Sequence, residues 1–210
     1  SGIDARDWED MGSGPCPDGG SCLFFGDIGD NGASHESIVL YRVPEPEVPE
    51  TGEAADIDLT GFDAFEARYP DRPHNAEALI VDPATGIPYI LTKEQEGAAQ
   101  VFRFPERPSP SPESVMLLHV GELPPEIRIV TGADVSPDGL RLLVRTYVGI
   151  HEFTRTPSEP FEALFSASPC AIDPAAEPQG EAISYAEGDE AIYTISEGPF
   201  PPIHRASCAR

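Results

Sequence analysis

Apolar residues in this chain fall in short runs broken by turn residues, and no stretch shows the three-to-four spacing of a long amphipathic helix. The clearest group predicts a strand over Ala78 to Val81, a turn over Asp82 to Gly86 and a return strand over Pro88 to Thr92. Two more strands follow at Gln100 to Phe104 and Val115 to Val120. Short strands in sequence order, joined by turns, make an antiparallel meander. The same order precedes this group, with strands at Met11, Leu23 to Phe25, Ser37 to Val43 and Phe62 to Tyr69, stopped in the middle by the acidic, proline-rich segment 44–56. It recurs afterwards at Ala133 to Val135, Leu140 to Val144 and Gly149 to Phe153. In that copy Pro137-Asp138-Gly139 is the turn, Pro fixing φ and Gly supplying a positive φ. A final copy runs through Glu181 to Tyr185, Ala191 to Ser196 and Ile203 to Arg205 and ends after three strands. One short helix is predicted near Ser158 to Phe165, where a capping residue, an early Pro and good helix formers coincide.

Phased groups of strands indicate a repeat architecture, since a single four-stranded sheet cannot bury both faces alone. The expectation is an all-β protein: one β-propeller domain over residues 1–210 with four recognisable blades, near 7–70, 75–121, 128–174 and 179–210, the last incomplete. A β-sandwich is the competing fold, but its strands are not expected to recur in phased groups of four.

Charge narrows the partners. With 13 basic and 37 acidic residues the formal charge is −24, which disfavours nucleic acid and anionic membranes and suits a divalent cation or a cationic partner. No run reaches the roughly 20 apolar residues of a membrane-spanning helix. There are four cysteines and no C-x-x-C spacing. Cys16 and Cys22 bracket a turn and suit a hairpin-clamping disulfide, leaving Cys170 and Cys208 as a second pair. Disulfides imply an extracytoplasmic compartment, secreted or periplasmic; four free buried thiols are the alternative.

Several motifs together, Asp7-Trp8-Glu9-Asp10, Gly26-Asp27-Ile28-Gly29-Asp30-Asn31, Ala76-Glu77-Ala78-Leu79, Val130 through Gly139 and Gly180-Glu181-Ala182-Ile183, resemble those of a largely uncharacterised group of bacterial secreted β-propeller proteins. The resemblance spans nearly the whole chain. It implies the propeller fold and an extracytoplasmic location, and it supplies no established activity. Members of that group carry a further blade before the acidic turn, so the resemblance implies a four-bladed ring, a five-bladed parent, or a partner strand or blade that completes the circle.

The start of a hairpin's first strand lies beside the end of its second. Aligning the copies on Met11, Leu79, Val135 and Ile183 therefore gathers Glu9, Glu77, Asp134 and Glu181 at one end of the channel, together with Asp27, Lys93, Arg145, Tyr147 and Glu197 from the return strands. Crowded carboxylates call for compensation. A Ca²⁺ ion held by Glu9, Glu77, Asp134, Glu181 and Asp27 would supply it. Pairing with Lys93 and Arg145, or hydrogen bonds from turn N–H groups, would do so without a metal. Gly26 to Asn31 resembles a calcium-binding turn but lacks the EF-hand spacing and its terminal Glu. His74 and Lys93 are the side chains nearest to catalytic candidates, and no G-x-S-x-G, H-E-x-x-H or phosphate loop occurs. Trp8, the only tryptophan, is expected to pack between blades. The functional expectation is a binding or interaction module with a channel-mouth acidic site stabilised by Ca²⁺, its ligand an unidentified protein or small molecule. The alternative is a metal-dependent hydrolase of an ester, lactone or phosphoester working at the same site.

Overall fold

The computed structural model describes residues 3–47, 59, 61–186, 188 and 191–207 of the chain. The first sheet contains β1 (Trp8–Pro15), β2 (Ser21–Asp27), β3 (Ile38–Pro44) and β4 (Asp63–Arg68). The second contains β5 (Ala76–Val81), β6 (Pro88–Thr92) and β7 (Gln100–Arg103), and after the two-residue β8 (Val115–Met116) it is completed by β9 (Leu118–Glu122). The third is β10 (Val130–Val135), β11 (Arg141–Thr146), β12 (Ile150–Thr154) and β13 (Cys170–Ile172), and the last is β14 (Gly180–Tyr185), β15 (Ala191–Ser196) and β16 (Ile203–Ser207). Strands β1, β5, β10 and β14 pack in succession along the inside, each followed outward by the rest of its sheet. This is a four-bladed β-propeller, and its last blade has three strands among the described residues.

Alternation of side chains explains why blades form. Every residue of β5 and β6 is buried, because successive side chains point to opposite faces and both faces are covered. Leu79, Val81 and Ile90 join Phe24, Ile28, Leu40 and Phe65 of the first blade in one core. Ala78, Ile80 and Leu91 face the other way, against Ala133, Leu142, Val144 and Phe153 of the third blade. A smaller core, Leu143 and Ile150 with Ile183 and Ile192, joins the third and fourth blades.

Two expectations change. The strand expected over Val115 to Val120 is split, because Leu117 is wholly buried in the core between the first two blades. Val115 and Met116 cross to pair in parallel with β4, giving the first sheet a fifth strand, and only Leu118 onward returns to its own blade. Trp8 does not pack between two blades: it is 44% exposed, stacked on Tyr41 at 5.4 Å and edge-on to Phe25 at 5.5 Å. The short helix is present as a 3-10 helix, Phe161–Ser166, whose Leu164 and Phe165 enter the core between the second and third blades.

Cys16 and Cys22 form a disulfide across the first hairpin, with Cα atoms 5.1 Å apart. Cys170 is exposed and has no disulfide partner among the described residues; its expected partner Cys208 lies outside them, as does most of the acidic connection 44–56. No helix among the described residues is long and apolar enough to cross a membrane.

Polar locks fix the inner strands to one another. Asp10 accepts from the backbone N–H of Met11 (2.8 Å) through Oδ1, and through Oδ2 from Leu79 (2.9 Å) in the second blade and Ala133 (3.3 Å) in the third. Asp134 likewise accepts from Val135 and, across the next boundary, from Tyr185 at 2.7 Å. Arg145 is fully buried and lies over Gly180, where any Cβ would collide with its guanidinium. Its Nη2 donates to Glu177 Oε2 at 2.7 Å, and Glu177 Oε1 accepts from Thr194 Oγ1 at 2.6 Å, joining the third and fourth blades.

Candidate functional site

Each blade's inner hairpin carries a bulge at the same place. In the second blade Ala76 pairs with Thr92 and Ala78 with Leu91, which leaves Glu77 as the extra residue. In the fourth, Gly180 pairs with Ser196 and Ala182 with Ile195, leaving Glu181. In the third, Val130 pairs with Thr146 and Gly132 with Arg145, leaving Thr131, and in the first Glu9 and Asp10 stand between the Trp8–Asp27 and Met11–Phe25 pairs. A bulge turns its side chain out of the regular alternation. Here it turns Glu9, Glu77, Thr131 and Glu181 into one cavity of about 590 Å³ at the channel mouth. The residue after each return strand joins them in three blades: Lys93, Tyr147 and Glu197.

The bulges correct the alignment of the third copy. Thr131, not Ala133, is the counterpart of Glu77 and Glu181, and Asp134 lies further along the strand than Asp10 does. A signal for this is present in the sequence, because Glu77, Thr131 and Glu181 are each followed by a small residue, Ala78, Gly132 and Ala182.

Lys93 Nζ lies 2.5 Å from Glu77 Oε2 and 2.7 Å from the Tyr147 hydroxyl, with its ammonium 4.6 Å from the centre of the Tyr147 ring. Burial alone would lower the Lys93 pKa; the bonds to Glu77 and Tyr147 outweigh it and hold the ammonium above its ordinary value. The pairing expected of Lys93 is therefore present. Lys93 is also the one cationic side chain among the described residues lining the cavity. Glu9 has no such partner among the described residues, and burial followed by the charges of Glu77 and Asp7 pushes its pKa up to about 8, against the pull of Lys93. Glu181 is raised as well, first by burial and then by Glu77, with hydrogen bonds from Gln179 and Tyr147 opposing. Gln179 also donates to Glu197.

The remaining predicted residues lie apart from this cavity. Asp27 accepts from the backbone N–H groups of Arg6 (3.1 Å) and Asp7 (2.8 Å), and Asp134 is engaged with Val135 and Tyr185; neither lines the cavity. Asp30 accepts from the N–H groups of Ser34 and His35, so Gly26 to Asn31 is organised as a turn, with Asn31 at the cavity wall. Arg145 is directed to Glu177 and not to the mouth. His74 is buried between Glu94 (3.1 Å) and Asp71 (3.2 Å), against Tyr69 and Phe102, and does not line the cavity. Among the described residues no three His, Cys, Asp or Glu side chains converge as a preformed metal cage. The mouth instead spaces its carboxylates around an open volume. Thr131 and Gln179, which sequence reasoning passed over, complete its wall.

No protein-family model and no curated protein matches the sequence. Among solved structures the chain is similar to a gluconolactonase from Xanthomonas campestris, with 11% identity and a TM-score of 0.49 over 93% of this chain and 56% of that one. It is also similar to a candidate 6-phosphogluconolactonase from Bacteroides uniformis, with 15% identity and a TM-score of 0.43 over 93% of this chain and 55% of that one. The chain thus spans little more than half the length of either protein.

Proposed function

We propose that this propeller is an extracytoplasmic binding module whose channel mouth takes a cation. The observation that carries the reading is the group of bulge glutamates, Glu9, Glu77 and Glu181, facing one cavity against the single ammonium of Lys93. Burial first, and then the charge of Glu77 beside them, raises the proton affinity of Glu9 and Glu181, and a bound cation relieves that repulsion. All donors on offer are oxygens, which suits Ca²⁺, a cation that accepts six to eight oxygen ligands at roughly 2.3–2.6 Å, waters among them. Glu9 and Glu181 would hold the ion, with Glu77 shared between it and Lys93. Asp27 and Asp134 would not take part, since backbone N–H groups already occupy them. A bound Ca²⁺ would offset part of the negative charge at the mouth and polarise an oxygen ligand placed beside it.

The test is thermal unfolding of chelator-treated protein with and without Ca²⁺. The expected result is a rise in melting temperature, since a ligand at 100 times its Kd adds about 2.7 kcal/mol, and a much smaller rise in Glu9→Gln. An unchanged melting temperature in the wild-type protein would remove the reading. A hydrolytic role is the second reading, favoured by a cavity of about 590 Å³, within the usual range for small-molecule sites, with Lys93 beside the carboxylates. It requires Ca²⁺-dependent turnover of p-nitrophenyl esters or simple lactones that is lost in Glu9→Gln.

A further inference from the structure

Lys93 is the only lysine among the 13 basic residues of this chain; the others are arginines. It stands in the acidic mouth, and its main chain is fixed on two sides. Its backbone N–H donates to the Asn75 carbonyl at 2.9 Å, and it pairs with Ile129 in an isolated bridge on the approach to the third blade. From there the ammonium reaches Glu77 Oε2 directly, while Asn75 Nδ2 donates to Glu77 Oε1 at 3.4 Å. The Tyr147 hydroxyl accepts from Lys93 and donates to Glu181, which extends the influence of the same charge to the fourth blade. Glu77, Lys93, Tyr147 and Glu181 thus form one hydrogen-bonded arc across the second, third and fourth blades, whose boundaries are packed.

This arc differs from the ion pair that joins the third and fourth blades. Arg145 and Glu177 are sealed, at 1% exposure each, with a planar guanidinium on the carboxylate. Lys93 instead ends in a compact ammonium on a flexible four-carbon stem, and it lines an open cavity beside Tyr147, which is 37% exposed. The first cation is enclosed; the second has a way out. A divalent ion that took oxygens of Glu77 and Glu181 would meet the ammonium at the same carboxylates, and like charges repel most where water is partly excluded. Each cation therefore weakens the hold of the other. We propose that Lys93 is a tethered counter-ion that competes with the divalent cation for Glu77 and, through Tyr147, for Glu181, so that ion binding pushes its ammonium towards solvent. This rests on the reading of the mouth as a cation site and adds its regulation: the sharing of Glu77 between ion and Lys93 is a competition, which lowers the affinity of the site and compensates its acids when no ion is bound.

A single lysine makes the test direct, since protein grown with ¹³C-labelled lysine gives one Lys93 Cε signal. The expected result for chelator-treated protein at pH 8 is a saturable shift of that signal on Ca²⁺ titration, towards the position of a solvent-exposed lysine. In calorimetric titration Lys93→Met should bind Ca²⁺ at least tenfold more tightly than the wild type. Tyr147→Phe, which keeps the ring and removes the hydroxyl between Lys93 and Glu181, should bind it at least threefold more tightly. Both variants should keep the wild-type circular dichroism spectrum; should Lys93→Met fail to fold, the labelled wild type still decides. A Lys93 signal that stays in place while the wild type binds Ca²⁺, or a folded Lys93→Met that binds no more tightly, would overturn the proposal and leave the cation reading standing. If neither the wild type nor Lys93→Met binds Ca²⁺, both fall.

Discussion

Carboxylates at the channel mouth and carboxylates just beneath it come from the same short motifs and meet opposite fates. Glu9 and Asp10 are adjacent. The first turns into the open cavity and has its pKa pushed up to about 8, whereas the second is tied to backbone N–H groups of three blades. Burial pushes Asp10 up as well, to about 7, although those three hydrogen bonds work against it. Glu177 and Glu181 repeat the contrast at the other end of the chain: Glu177 is locked to Arg145 and Thr194, and Glu181 faces the cavity beside Glu77. Asp10 and Glu177 hold blades together, whereas Glu9 and Glu181 are turned into the cavity near the charge of Glu77. Substitutions should separate stability from cation binding along that line.

The largest effect belongs to the buried lock. Arg145→Met leaves Glu177 without its cationic partner in a site with no water access, and should cost about 3–5 kcal/mol in urea unfolding. Asp10→Ala leaves donors of three blades without their acceptor and should cost about 1–3 kcal/mol. Glu9→Gln should behave in the opposite way: unfolding free energy at pH 8 does not fall, while Ca²⁺ affinity drops at least tenfold. If Glu9→Gln were as destabilising as Asp10→Ala, the two acids would not differ in kind.

The remaining effect is a slope. Glu9 has a folded-state pKa of about 8 against an ordinary 4.5, so between those values the folded protein binds more protons than the unfolded chain. Its contribution to stability is therefore greatest below pH 4.5, falls as pH rises towards 8, and is level above that. Unfolding followed across this window should show the decline in the wild type and a shallower one in Glu9→Gln. Saturating Ca²⁺ should flatten it, because the ion replaces the proton.

The blades were legible in the sequence because burial on both faces leaves an unmistakable run, as in Ala78 to Val81, and because Asp82 to Gly86 and Ser136 to Gly139 are turns with a mechanism. Glu9, Glu77 and Glu181 were legible as a set for the same reason. Thr131 was hidden because the third copy carries Thr where the others carry Glu, and aligning that copy on Val135 instead of Ala133 set it two residues out of step and promoted Asp134 to a place it does not occupy. Asp27 was misplaced in a different way: its position at the end of β2 is as expected, but hydrogen bonds from Arg6 and Asp7 turn it to the backbone. The transfer of Val115 and Met116 to the first sheet depends on where Leu117 is buried, which no local pattern encodes.

The central claim is that the bulge glutamates form one cation site, and calorimetric titration of chelator-stripped protein with Ca²⁺ at pH 8 tests it most directly. The expected result is saturable binding of one ion per chain, weakened at least tenfold in Glu9→Gln and unchanged in Asp134→Asn, whose carboxylate is engaged with the backbone of the next blade. No binding by the wild type, or an equal loss in both variants, would contradict it.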